Sequence, residues 1–186
     1  FAAVGLTELS NLQLVEVGAG AGGNLLELLR AGLAPENLLG VELLPERVEI
    51  ARRTLPTALR FAIGDATALP VEPGSLDIVY QSVVFSSLLD DVFQNQLAQA
   101  MWRWLRPRGA ILWYDFTYNN PANPDVRGVP LSRIRKLFPE GRIRAQRVTL
   151  APPIARRVTK IHPSLYTFFN LLPLLRTHLL CWIEKP

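Results

Sequence analysis

Three carboxylates stand at or near the ends of three short apolar runs: Glu16 in LQLVEVG, Glu42 in NLLGVEL and Asp65 in LRFAIGD. A carboxylate so placed accepts hydrogen bonds from hydroxyl or amino groups, and its charge attracts a cation. After the first, VGAGAGGN satisfies two glycine patterns, GxGxxG through Gly18, Gly20 and Gly23, and E-x-G-x-G-x-G through Glu16, Gly18, Gly20 and Gly22. Glycines let a turn take positive φ and approach a ligand closely, and a helix opening behind them offers free N–H groups. Glu42 follows Gly18 by 24 positions, a spacing at which an acid takes both hydroxyls of a ribose. Asp65 suits an adenine amino group, with a helix cap as its structural alternative. Together these residues predict a site for an adenosine-containing molecule.

Such a site needs strands to carry it. LQLVEVG, NLLGVEL, LRFAIGD, LDIVYQS and GAILWYDF read as strands. Between them lie helices from about Asn24, from Pro45, and from Phe93 to Leu105, the last stopped by RPRG. Alternation of this kind predicts a parallel sheet covered on both faces, and right-handed crossovers make it doubly wound. Met101, Trp102 and Trp104 are predicted in the core. Past Phe116, TYNNPANPDVRGVP is a loop by composition, LSRIRKLFPEG a short helix, RIRAQRVTLAP a strand and LLCWIEK a closing strand. Residues 161–178 form an apolar helical insertion between those last strands. Its Leu165, Phe168, Phe169, Leu172 and Leu175 share a face, expected in the core, with a lid, dimer or membrane-surface contact as alternatives. One domain is expected across 1–186. A preceding segment is also expected, because the chain starts at Phe1 and its first strand is under way by Leu12.

The ordered motifs resemble those of class I S-adenosylmethionine-dependent methyltransferases. VEVGAGAG is similar to that family's first motif, GVELLPERVEIARR to its second, GDATALPVEPGSLDIVYQSVVFSSL to its third and fourth, and LRPRGAIL to the turn entering its fifth strand. The resemblance implies an α/β, doubly wound, Rossmann-like fold with a mixed seven-stranded sheet and an antiparallel final strand. It implies that Glu16 and the backbone of Gly18, Ala19, Gly20 and Gly22 hold the methionine portion of S-adenosylmethionine. Glu42 would bind the ribose, Leu43 would flank the adenine, and Asp65 with the Ala66 backbone would read the adenine edge. Gln81 matches a position near the sulfonium where the family often has Asn, Ser or His. Asp77 also matches, and reads better as a structural residue at the entrance of its strand. The apolar insertion departs from the family pattern.

Methyl transfer leaves S-adenosylhomocysteine and needs a base only when the acceptor is still protonated as it attacks. Candidates facing the acceptor run from Gln81 to Leu89 and from Tyr114 to Arg127. Asp115 is the candidate catalytic carboxylate, for positioning or deprotonation, with a loop cap as its alternative. Tyr118, Asn119 and Asn120 offer hydrogen bonds, while His162 and His178 read as ordinary structural or surface residues. WYDFTYNNPANPDVRG is similar to a segment of bacterial methyltransferases associated with glycan biosynthesis, which implies a small-molecule or sugar-containing acceptor.

The chain has 186 residues, 49% hydrophobic, with net charge +4 and one cysteine, Cys181. A single cysteine excludes an internal disulfide and a cysteine-cluster metal site and fits a reducing cytoplasm, and no spacing of His, Asp or Glu suggests a metal. The most apolar stretch is broken by Asn170, Pro173, Arg176 and His178 and makes a poor membrane span. Arg127, Arg133, Arg135, Lys136, Arg142, Arg144, Arg147, Arg156, Arg157 and Lys160 face the single acid Glu140 between Val126 and Lys160. Such a block is a solvated face, or it meets a phosphate on a small acceptor or on nucleic acid. RNA methylation is therefore an alternative, although NNPAN has one proline where base-amino methylation uses two. A further alternative, an NAD(P)-dependent oxidoreductase, accounts for Gly18, Gly20 and Gly23 but leaves GDATALP and LRPRGAIL unexplained. A third is a binding module that keeps the cofactor fold without turnover.

Overall fold

The structure is a computed structural model describing all residues except Asn120 and Ala122. Its strands are β1 (Leu14–Val17), β2 (Leu38–Glu42), β3 (Arg60–Ile63), β4 (Leu76–Ser82), β5 (Leu105–Phe116), β6 (Arg142–Leu150) and β7 (Arg176–Glu184). Its helices are α1 (Gly23–Arg30), α2 (Pro45–Thr54), α3 (Asp91–Trp104), α4 (Leu131–Leu137), α5 (Pro152–Ile161) and α6 (Ser164–Asn170). All seven strands join one sheet in the order β3-β2-β1-β4-β5-β7-β6. β1 to β5 run parallel, and β7 is antiparallel to both β5 and β6. The mixed, doubly wound sheet therefore matches expectation. The chain winds outward through β2 and β3 and returns to the other side of β1 as β4, so the strand order reverses between β1 and β4.

Local chemistry explains the elements beside that crevice. β1 is buried along its whole length, as an apolar central strand of a parallel sheet should be. Leu14 packs with Leu25 and Leu28 of α1 and Ala51 of α2, whereas Val15 and Val17 belong to the opposite layer with Leu97, Met101 and Trp104 of α3 and Ile134 of α4. The two-residue period of a strand thus turns Glu16 toward α1. α2 opens on Pro45 and Glu46 and ends on Arg52 and Arg53, matching the polarity of the helix dipole. α3 is capped by Asp90, whose carboxylate accepts the Val92 N–H at 2.8 Å. Asp77 is structural, as expected: it accepts the Gln13 N–H at 2.8 Å and pairs with Arg106.

Two segments differ from the reading of the sequence. RPRG does not separate α3 from a strand opening at Gly109, because α3 ends at Trp104 and β5 begins at once with Leu105. The Lys185 ammonium donates to the carbonyls of Trp102 and Leu105 at 2.9 and 2.7 Å, so a distant cation closes the helix. The β6–β7 connection also starts earlier than residue 161, at Ala151, with a proline-initiated α5, and residues 176–178 belong to β7. Nor does its apolar face enter the core. α6 has no buried residue, and Phe168, Leu171, Leu172 and Leu174 are exposed. α6 packs against β6, the edge strand of the sheet, and α5 packs on α6, so among the described residues the apolar side chains of the connection meet no core behind them. Leu175 and Leu165 are only half-buried.

Candidate active site

A cavity of about 510 Å3 opens at the carboxyl ends of β1, β2, β3 and β4. Gly18, Glu42, Leu43, Asp65 and Ala66 all line it. Two of the three predicted acids, Glu42 and Asp65, are thereby gathered at the cavity by the parallel register of β2 and β3, whereas Glu16 of β1 does not line it. The opposite wall is apolar and comes from Val83, Val84 and Leu88 after β4 and from Phe93 and Leu97 of α3. Phe93 and Leu97 read as plain helix-core residues in sequence, and only their i, i+4 spacing toward the crevice could have marked them. Arg47, in the first turn of α2, also reaches the cavity; within the surface-helix pattern PERVEIARR it carries no local signal of that position.

The glycine turn divides its work among its residues. Glu42 is 5% exposed, and its Oε2 accepts the Gly20 N–H at 2.8 Å while Oε1 accepts the Leu44 N–H at 3.1 Å. Each oxygen keeps acceptor capacity for a ligand hydroxyl. Gly20 has φ +55°, and a Cβ there would meet nothing within 4 Å. Gly22 has φ +83° as the cap of α1, and its missing Cβ would lie 2.5 Å from the Leu55 side chain and 3.2 Å from Ala51. Close packing at the start of α1 therefore falls to Gly22, since Gly23 has open space and ordinary φ. Ala19, Gly20 and Gly22 shape the turn without lining the cavity; the Ala19 N–H donates to the Val41 carbonyl at 2.9 Å.

Glu16 lies fully buried beneath this turn. One oxygen accepts from the Asn24 amide at 2.7 Å, and the other has no partner. Burial pushes its carboxyl up to about 8, against the opposing Asn24 hydrogen bond and with a further push from the Glu42 charge. An orphaned carboxylate oxygen, an open glycine turn and an acid with free acceptor capacity fit a cofactor that carries a cation and hydroxyls. Asp65 is exposed at the cavity and also caps the turn Ala66–Ala68 by accepting the Thr67 N–H at 2.8 Å.

Gln81 and Asp115 are not brought to the cavity wall. Gln81 is wholly buried; its amide donates to the Tyr114 carbonyl at 3.3 Å and accepts the Val84 N–H at 3.1 Å. Asp115 is wholly buried too, and its Oδ2 accepts the Ser86 N–H at 3.1 Å. Burial raises its carboxyl from 3.8 to about 6 despite hydrogen bonds from Ser86, Phe116 and Phe85. Both hold the segment after β4, as does Gln94, which donates to the carbonyls of Phe85 and Leu88 at 2.9 and 2.8 Å. The segment needs holding. Val83, a β-branched residue, sits at φ +59°, a strained conformation that persists only where its surroundings fix it.

A second cavity of about 440 Å3 is lined by Asp91, Gln94, Tyr118, Asn119, Arg127 and Arg133 among others. Arg127 and Arg133 both pair with Asp91, and the Arg127 N–H donates to the Ser86 carbonyl at 2.8 Å. Asn120 lies outside the described residues. His162 is exposed, and His178 stacks on Tyr114 at 5.0 Å, so both are structural or surface residues as expected. Among the described residues no cluster of His, Cys, Asp and Glu could hold a metal, and no helix is long and apolar enough to cross a membrane.

A doubly wound sheet with a glycine turn and acids at three successive strand ends defines a nucleotide-cofactor enzyme of the Rossmann-like class. A family model described as "Methyltransferase domain" matches residues 15–113. The chain belongs to this family and is an S-adenosylmethionine-dependent methyltransferase. Solved structures agree in fold. A SAM-dependent methyltransferase from Archaeoglobus fulgidus is 11% identical, with TM-score 0.72 over 95% of this chain and 88% of that one. One from Mesorhizobium loti is 17% identical, with TM-score 0.70 over 97% and 94%. The Haemonchus contortus phosphoethanolamine N-methyltransferase 2, solved with S-adenosyl-L-methionine, is 16% identical, with TM-score 0.69 over 98% and 50%. No curated protein sequence matches the chain.

Proposed function

We propose that the chain methylates a small-molecule or sugar-containing acceptor, with Glu42 as the main anchor of the methyl donor. Bound S-adenosylmethionine supplies an electrophilic methyl carbon on a sulfonium, transferred by in-line displacement with S-adenosylhomocysteine as product. The protein's task is alignment and exclusion of water. Glu42 accepts the ribose hydroxyls, Leu43 flanks the adenine, and Asp65 with the Ala66 backbone reads its edge. Gly18 and Gly20 leave room for the methionine portion, while Glu16 provides a carboxylate for its ammonium group. Val83, Val84 and Leu88 form a dry wall beside the reacting methyl.

One observation supports the acceptor class: the cavity at Arg127 and Arg133 is tied to the segment that walls the cofactor cavity, the Arg127 N–H donating to the Ser86 carbonyl and Gln94 to those of Phe85 and Leu88. Two guanidiniums sharing the single carboxylate of Asp91 leave net positive charge for a phosphate or sugar acid. Arg127→Ala is expected to raise the KM for such an acceptor with little change in donor affinity. Labelled S-adenosylmethionine incubated with nucleotide-sugars, glycolipid precursors and RNA tests the reading. Transfer to a sugar-containing acceptor supports it, and transfer confined to RNA overturns it.

Donor anchoring is tested separately by titrating S-adenosylhomocysteine into Glu42→Ala. Loss of charge-assisted hydrogen bonds worth about 1.5–3 kcal/mol each should weaken binding at least tenfold. Unchanged affinity would remove Glu42 from the site.

A further inference from the structure

We infer that α5, α6 and the turn Pro173–Leu175 form a docking surface for an anionic lipid membrane, holding the protein on the bilayer without spanning it. The first observation is exposure. Ile161 is 77% exposed, Phe168 60%, Leu171 67% and Leu174 79%, all within one connection between two strands. Phe168 of α6, its C-cap Leu171, and Leu172 and Leu174 just beyond are all exposed. Contiguous large apolar side chains of this kind mark an interaction surface.

The second observation is charge. Between Gln146 and Ile183 the chain has Arg147, Arg156, Arg157, Lys160 and Arg176 and no Asp or Glu. Among the described residues none of these five is in an ion pair. α5 turns Val158 inward and leaves Arg156, Arg157 and Lys160 exposed. A basic helix followed by exposed Phe and Leu is the composition that lies in a headgroup layer, cations toward anionic phosphates and apolar side chains toward the acyl boundary. A protein partner or a second copy would meet the apolar side chains equally well, but a second copy would set these cations against their own kind.

The third observation is position. Leu150 pairs with Arg176, and Phe116 pairs with His178. The connection therefore springs from the edge of the sheet at which β5 ends, the edge where the cofactor cavity opens. Docked this way, the open rim of the site faces the lipid surface. The inference rests on the patch alone and holds whichever acceptor is methylated.

Vesicle sedimentation tests it, using the full chain with phosphatidylglycerol or phosphatidylcholine vesicles. Binding to the anionic vesicles alone is expected, weakening as salt rises. The triple variant Arg156→Gln, Lys160→Gln, Arg157→Gln should lower partitioning roughly a hundredfold, since each cation near such a surface contributes about 1 kcal/mol. Phe168→Ser with Leu171→Ser and Leu174→Ser should lower it as well, with circular dichroism and S-adenosylhomocysteine binding unchanged. Sedimentation with neither vesicle, or equal binding by wild type and both variants, overturns the inference. So does light scattering that shows a dimer dissolved by the serine variant without vesicle binding.

Discussion

Asp115 and Ser86 are 29 residues apart in sequence and joined by one hydrogen bond, the Ser86 N–H donating to Asp115 Oδ2 at 3.1 Å. Through it, the last turn of β5 fixes the segment after β4 that forms the apolar wall of the cofactor cavity. Gln81 and Gln94 fasten the same segment from β4 and α3. Three buried polar side chains are thus committed to holding a backbone with a left-handed valine in it. Their effect on methyl transfer runs through the wall they position.

Asp115→Asn separates that role from base catalysis. Asparagine keeps an oxygen that accepts from Ser86, so kcat and its pH profile should stay within a few-fold of wild type, whereas losing a general base costs about 10²–10⁴-fold. Asp115→Ala, which frees Ser86, should lower both stability and kcat. Steady-state kinetics from pH 5 to 9 on both variants decide; a collapse in Asp115→Asn with its fold intact would make Asp115 the base.

Glu16 gives a pH signature. Its carboxyl is raised by burial from 4.5 to about 8, so between those values the unfolded chain ionises while the folded chain keeps the proton. The folded state then binds more protons, and stability falls as pH rises through that window. Glu16→Gln removes the titration. Relative to wild type, its Tm should therefore be higher at pH 8 than at pH 5 by scanning calorimetry. A pH-independent difference would count against the shift.

The same group should report on cofactor binding. An ammonium brought near Glu16 favours the ionised form, so binding near pH 7 should release a proton. Titration calorimetry in buffers of different ionisation enthalpy measures that release, and Glu16→Gln should abolish it. An identical heat in every buffer would separate Glu16 from the cofactor.

Gly22 and Gly23 should behave oppositely despite being adjacent. Alanine at Gly22 meets positive φ and a Cβ 2.5 Å from Leu55, and should cost about 2–4 kcal/mol from backbone strain and overpacking. Alanine at Gly23 enters open space in the first turn of α1 and should be neutral or stabilising by up to about 1 kcal/mol. Urea midpoints of the two variants check this directly.

What the sequence disclosed follows the range of the interactions concerned. LDIVYQS is β4 from Leu76 to Ser82 without adjustment, and the glycine turn with Glu42 and Asp65 was legible because strand ends and turns are local chemistry. The engagement of Gln81 with Tyr114, 33 positions away, has no local signature. The same holds for Gly22, whose packing depends on α2. Apolar side chains at 161–174 look alike in sequence whether buried or exposed, and only the position of the connection outside an edge strand told them apart.

That edge strand has a consequence for the protein in concentrated solution. β6 leaves one side of its ladder unpaired, and its exposed Arg142, Arg144 and Arg147 make two such edges repel when they meet. Unpaired edges are templates for aggregation, and like charge is a common guard against it. Because salt shortens the reach of that repulsion, the guard weakens in brine, and colloidal behaviour depends on arginines that take no part in the cofactor cavity.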